Sequence, residues 1–130
     1  MQAIELLAPA RDYECGVAAI DHGADAVYIG GPAFGARSAA GNAMADIERL
    51  ARYAHRYWAK VYLTLNTILY DDELEEARAL AHAAWDAGVD ALIVQDMGLL
   101  ELDLPPLPLI ASPQVHNADA AHVRFLQAVG

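Results

Sequence analysis

The sequence predicts an α/β fold built as a parallel (β/α) repeat: about half of a TIM-type (β/α)8 barrel, or alternatively a small doubly wound sheet. Three observations predict it. Short apolar segments alternate with segments of helical period along the whole chain. The strand segments are apolar on both faces, as in parallel strands covered by helices. And GADAVYIGG at residues 23–31 recurs as GVDALIVQD at residues 88–96. That interval of 65 residues covers two strand–helix units of roughly 30 residues, the unit size of a (β/α)8 barrel of about 250 residues.

The elements follow in order. Residues 4–8 form a short apolar strand that ends at Pro9, with Glu5 inside it. Residues 12–22 form a helix with Tyr13, Val17 and Ile20 on one face, stopped by Gly23 in a left-handed position. Asp25 is exposed in the turn, and the second strand, AVYIG, spans 26–30. The glycine-containing loop GPAFGARSAAGNAM leads to a helix over 46–58, with Ile47, Leu50, Ala54 and Tyr57 inward. The third strand, KVYLTL, covers 60–65. A helix over 72–87 is capped by Asp72 with Glu75 three residues on, a capping-box pattern. It turns Leu74, Ala77, Ala81 and Ala84 inward. The fourth strand spans 91–95, and LPPLP then breaks the chain, because proline cannot continue a regular helix. Leu109 and Ile110 begin a fifth strand. Asn117 caps a last helix over 118–129, with Ala121, Phe125 and Val129 inward. The pattern is that of a single (β/α) domain, residues 1–130, interrupted after its fifth unit.

Composition narrows the function. With 56% hydrophobic and 20% charged residues, the chain is globular. Its net charge of −10, with one lysine and seven arginines, opposes an electrostatic grip on phosphate backbones. No apolar run approaches the roughly 20 residues that span a bilayer, and MQAIELLAPARDYE has no signal-peptide pattern; no membrane contact and a cytoplasmic location are expected. The single cysteine, Cys15, excludes an internal disulfide and a self-contained iron–sulfur cluster, which takes about four thiolates. Beside Gly16, it reads as a small core residue.

Both architectures bind ligands at the carboxyl ends of the strands. The candidate site residues are therefore Glu5, Arg37, Asn42, Asn66, Gln95, Asp96, Gln114 and His116. Glu5 in an apolar strand is costly to bury unpaired. Either it forms a substrate-anchoring ion pair with Arg37 at the carboxyl-end mouth, or it faces water at an edge. Asn66 either meets a ligand or caps a turn. Gln95 and Asp96 form a polar ligand pair, unless Asp96 caps the turn MGLLEL. His116 is a general base or a turn residue; it and His122 do not share a helix face, so no metal pair is expected. The loop glycines make no P-loop and no dinucleotide fingerprint, and Ser38 has no nucleophile elbow.

The stretches ELLAPARDYECGVAAIDHGADAVYIGG, FGARSAAGN, YAHRYWAKVYLTLNTILYDDEL, AGVDALIVQDMGLL and SPQVHNADAAHVRFLQAVG carry a resemblance. In order and spacing the whole chain resembles the N-terminal part of the peptidase U32 family. The resemblance implies the N-terminal half of a TIM-type barrel. It also implies a role as a collagenase-like protease or in hydroxylation of tRNA or rRNA bases or of ubiquinone. Hydroxylation-linked members carry an iron–sulfur cluster whose cysteines lie beyond the matched region; Cys15 does not correspond to one. Glu5, Arg37, Asn42, Asn66 and Gln114 match the family's recurrent polar positions, while His116 stands where a smaller or amide residue is expected. No protease triad or metalloprotease motif is visible, so this chain alone is expected to be inactive, with a small-molecule or RNA substrate reached through a full-length protein. The alternative is a non-catalytic small-molecule-binding half-barrel that self-associates through its open strand edges.

Overall fold

The computed structural model describes residues 4–36 and 41–130. Five strands form one sheet in the order β1-β2-β3-β4-β5, with β1 at Leu7–Ala10, β2 at Ala26–Gly30, β3 at Lys60–Leu65, β4 at Ala91–Val94 and β5 at Leu109–Ala111. Every pairing is parallel, with Tyr28 beside Tyr62 and Thr64 beside Ile93. The helices are α1 (Tyr13–Asp21), α2 (Met44–His55), α3 (Leu74–Asp86) and α4 (Ala120–Val129).

Strand order decides between the two expected architectures. A doubly wound sheet reverses its order at a switch point and carries helices on both faces. Here the strands run consecutively and one face alone meets the helices. Val27, Ile29, Val61, Leu63, Leu65, Leu92 and Val94 pack with Ile20, Ile47, Leu50, Ala54, Ala77 and Ala84 in one core. The opposite face is a separate cluster of strand residues, Ala26, Tyr62, Ala91 and Ile93, flanked by Tyr28 and Ile110. A sheet covered on its outside and lined by side chains on its inside is a barrel wall. Among the described residues no helix is long and apolar enough to cross a membrane.

Small residues bring the helices close. Ala77, Ala81 and Ala84 of α3 are fully buried, as is Leu50 of α2, which burial stabilises by about 1.5–3 kcal/mol. Gly16 of α1 lies against Leu50, where a Cβ would stand 2.7 Å from both Leu50 methyls.

The repeated motif has a shared structural reason. Gly23 and Gly88 take φ of 99° and 85°, a region closed to most L residues. Asp25 and Asp90 are more than turn residues. The Leu6 N–H donates to the Asp25 carboxylate at 2.7 Å and the Val61 N–H donates to Asp90 at 2.8 Å. Each aspartate thus fastens the start of its strand to the start of the preceding one.

Several expected boundaries shift. β1 runs through Pro9 rather than stopping before it, because proline is tolerated on a strand paired on one side; Glu5 consequently precedes the strand. Glu73, not Glu75, reaches back to cap the helical turn, accepting from the Tyr70 N–H at 2.8 Å; Glu75 is paired with Arg78 instead. α4 is capped by Asp119, which accepts from the His122 N–H at 2.8 Å. Asn117 is displaced because His116, at φ 59°, turns the chain there. Phe125, Val129 and Tyr57 are exposed rather than inward, as is Ala121: α4 buries no residue, and Tyr57 lies past the end of α2.

Candidate functional site

The inner face of the sheet forms an open trough of about 680 Å³ at the carboxyl ends of the strands. Tyr28 lies at its floor. It is lined from β1 to β5 by Pro9 and Arg11, by Gly30 with Gly35 and Ala36 of the loop after it, by Thr64 and Asn66, and by Ile93, Ile110, Ser112 and Gln114, with Cys15 from α1. The alternation of a β-strand explains the selection: on β2, Tyr28 and Gly30 face inward while Val27 and Ile29 face the helices.

Asn66 ties the rim together. Its Oδ1 accepts from the Ala36 N–H at 3.0 Å, and its Nδ2 donates to the Ser112 Oγ at 3.2 Å. Ser112 is fully buried, and its Oγ also accepts from the Gln114 N–H at 3.2 Å. Gln95 donates from Nε2 to the Gln114 carbonyl at 3.3 Å. Asn66, Gln95 and Gln114 are therefore joined, through Ser112, in one hydrogen-bonded rim. Asn42 lies below it, donating to the carbonyls of Arg11 at 3.0 Å and Gly30 at 2.9 Å. In this position it holds the returning loop against the ends of β1 and β2.

The other candidates go elsewhere. Glu5 is not at the carboxyl-end mouth. It sits at the amino ends of the strands, because β1 begins only at Leu7, and accepts from the Tyr62 hydroxyl at 2.8 Å with Lys60 Nζ 3.6 Å away. Its expected partner, Arg37, lies outside the described residues. Asp96 is occupied by backbone, accepting from Gly98 N–H at 2.8 Å and Leu69 N–H at 2.9 Å. It thereby caps the MGLLEL turn and clamps it to the segment after β3. His116 is exposed and off the trough wall.

The sequence reading missed Arg11, Cys15, Tyr28 and Thr64. The signal for Tyr28 was present in the alternation of AVYIG, where a tyrosine breaks an aliphatic face. Arg11 was concealed because it follows the strand, and its guanidinium is engaged by Asp12 at 2.8 Å. Hydrogen bonds from the Cys15 backbone and from Arg11 hold the Asp12 carboxyl down at about 2. Burial and the Glu5 hydrogen bond push the Tyr62 phenol well above its usual value.

The implied iron–sulfur cluster does not fit this donor set. Cys15 is the one thiol of the chain, and among the described residues no group of three or more His, Cys, Asp or Glu side chains is placed to hold a metal.

Comparison with known proteins agrees with the fold. The family model for peptidase family U32 matches residues 11–130. The chain is 58% identical over 127 residues to a 23S rRNA 5-hydroxycytidine synthase of Escherichia coli, covering 98% of this chain and 19% of that protein. It is 38% identical over 98 residues to a tRNA hydroxylation protein of Bacillus subtilis, covering 75% of this chain and 23% of that one. It is 37% identical over 124 residues to a collagenase of Porphyromonas gingivalis, covering 93% and 30% respectively. Among solved structures, the U32 peptidase Mk0906 superposes with a TM-score of 0.77 at 14% identity, over 100% of this chain and 57% of that one. The chain thus spans less than a third of the length of these curated relatives. With its consecutive parallel strands, its inward trough and a family match over residues 11–130, the chain belongs to peptidase family U32.

Proposed function

We propose that this chain is the substrate-receiving part of a barrel that acts in hydroxylation of a base in ribosomal or transfer RNA. The observation that carries the reading is the 58% identity to a 23S rRNA 5-hydroxycytidine synthase over 98% of the chain, against 42% and 37% to relatives named as proteases. The trough supports it chemically. Beside Arg11 and Cys15, its polar groups are amides and hydroxyls, suited to holding a ligand by its hydrogen-bonding edges. Cys15 shares the trough wall with no histidine, so the thiol has no adjacent base to activate it, as nucleophilic proteolysis requires. The net charge of −10 assigns the grip on RNA phosphates to protein surface outside this chain, and the thiolates of any cluster come from outside it too. This reading goes with a cytoplasmic location, where ribosomal and transfer RNA are met.

The test is deletion of the gene that encodes this chain, followed by mass spectrometry of nucleosides from 23S rRNA and tRNA. Loss of a hydroxylated pyrimidine, restored by the gene, is expected. An unchanged nucleoside profile together with casein cleavage by the purified gene product would overturn the reading in favour of proteolysis.

A second reading is a half-barrel that self-associates. The observation in its favour is that β1 and β5 are each paired on one side only among the described residues, leaving open edges. Sedimentation of the chain decides it: a monomer at high concentration removes it.

A further inference from the structure

We propose that Tyr28 is the platform on which a single uncharged base docks in the trough, its hydroxyl contacting the edge of that base. This rests on the RNA-base reading above and names the residue that would receive the base.

The two inward tyrosines have different fates. Tyr28 and Tyr62 are direct neighbours across β2 and β3. Tyr62 is only 5% exposed, and its hydroxyl is committed to Glu5 at the amino end. Tyr28 is half-buried, lines the trough, and its hydroxyl has no hydrogen-bond partner among the described residues. No buried side-chain polar atom among the described residues lacks a partner, so the Tyr28 hydroxyl is open to the trough and available to a ligand that enters this concave site.

The walls above Tyr28 favour a flat ligand. One is nearly free of side chains: Gly30, Gly35 and Ala36. The loop there packs so closely that a Cβ on Gly35 would lie 3.3 Å from Thr64 Oγ1. Ile93 and Ile110, neighbours on β4 and β5, add aliphatic lining on the same inner face of the sheet. Backbone and aliphatic surface beside the Tyr28 ring suits a planar ligand that stacks. The amides of Asn66 and Gln114 stand at the rim, where the ring's polar edge would emerge.

The described residues that line the trough offer an anionic group little unshared positive charge. The one cation that lines it among the described residues is Arg11, and Arg11 is neutralised by Asp12. A neutral base fits inside, while the phosphates of its chain stay outside, consistent with the chain's net charge of −10.

The experiment titrates the intact gene product with cytidine, with uridine and with inorganic phosphate, following aromatic proton resonances. The Tyr28 ring signals are expected to shift with a nucleoside and stay unmoved with phosphate, while those of Tyr62 stay unmoved throughout. Tyr28→Leu is expected to weaken nucleoside binding about tenfold, the loss of one base–aromatic stack. Tyr28→Phe, which keeps the ring, is expected to retain most of it. Thermal melts establish that each variant folds. A folded Tyr28→Leu protein with unchanged nucleoside affinity would overturn the proposal, as would wild-type Tyr28 signals that respond to phosphate alone or to nothing. If Tyr28→Leu does not fold, the wild-type shifts and the Tyr28→Phe affinity decide alone. An unaltered RNA profile in the deletion strain, by contrast, removes the RNA reading without touching base binding.

Discussion

The Tyr62 hydroxyl meets both oxygens of the Glu5 carboxylate, at 2.8 and 2.9 Å, and so closes the amino end of the trough 57 residues away in sequence. Burial first, and this bond second, raise the Tyr62 phenol above its usual value near 10. The folded state thus keeps its proton where the unfolded chain loses it. The stability this group contributes is complete below about pH 10 and is lost as pH rises toward the folded value. Unfolding free energy should fall more steeply as pH rises above about 10 in the wild type than in Tyr62→Phe. At neutral pH that variant should be less stable by about 1 kcal/mol. Identical slopes would show that the bond does not form in solution.

Ser112→Val should be destabilising by about 1–3 kcal/mol in urea melts, although it replaces a buried polar side chain by an apolar one. Its Oγ is the acceptor for Asn66 Nδ2 and the Gln114 N–H, and the substitution leaves both donors without it. Amide exchange at Gln114 should accelerate. A neutral substitution would mean that the rim repacks freely.

Gly16→Ala tests the contact between α1 and α2. Alanine is favoured over glycine in a helix by roughly 1 kcal/mol, but here its methyl would lie 2.7 Å from Leu50 Cδ1 and Cδ2. Overpacking of a filled core costs about 1–3 kcal/mol, so the clash wins and the variant should be less stable. Leu50→Ala added to Gly16→Ala should cost less than Leu50→Ala alone, a coupling that a double-mutant cycle reads directly.

Asp12 sets the acid limit of α1. Its carboxylate accepts from the Cys15 N–H at 2.9 Å and is held at about 2, below its usual 3.8. A depressed folded value means the contribution is present above pH 3.8 and lost as pH falls through about 2. Amide protection in the first turn of α1 should therefore persist at pH 4 and decline toward pH 2. Asp12→Asn, which still caps, should remove that decline.

Much of this was legible in the sequence because it is local. β2 and β3 run over the residues that the apolar runs marked, and Gly23 and Gly88 stop their helices where the repeated motif placed them. Asn66 and Gln95 reached the rim because they directly follow β3 and β4, and Gln114 because it lies in the turn just after β5; position along a strand then determines which end they occupy. Glu5 failed for a local reason too: β1 begins only at Leu7, so Glu5 precedes the strand and lies at its amino end. Asp96 was ambiguous because a carboxylate after a strand serves a ligand or a backbone equally well, and only the approach of Leu69, 27 residues earlier, resolves which.

The sequence by itself determined the succession of strands and helices, the parallel pairing and the family, since each rests on periodicity or on residues read in order. Tertiary structure alone decided that the strands stand in consecutive order with helices on one face, making a barrel wall rather than a doubly wound sheet. It alone distinguished Tyr28 from Tyr62. Two tyrosines in like positions on adjacent strands are equivalent in sequence; one hydroxyl finds a carboxylate at the closed end, and the other is left facing the open trough.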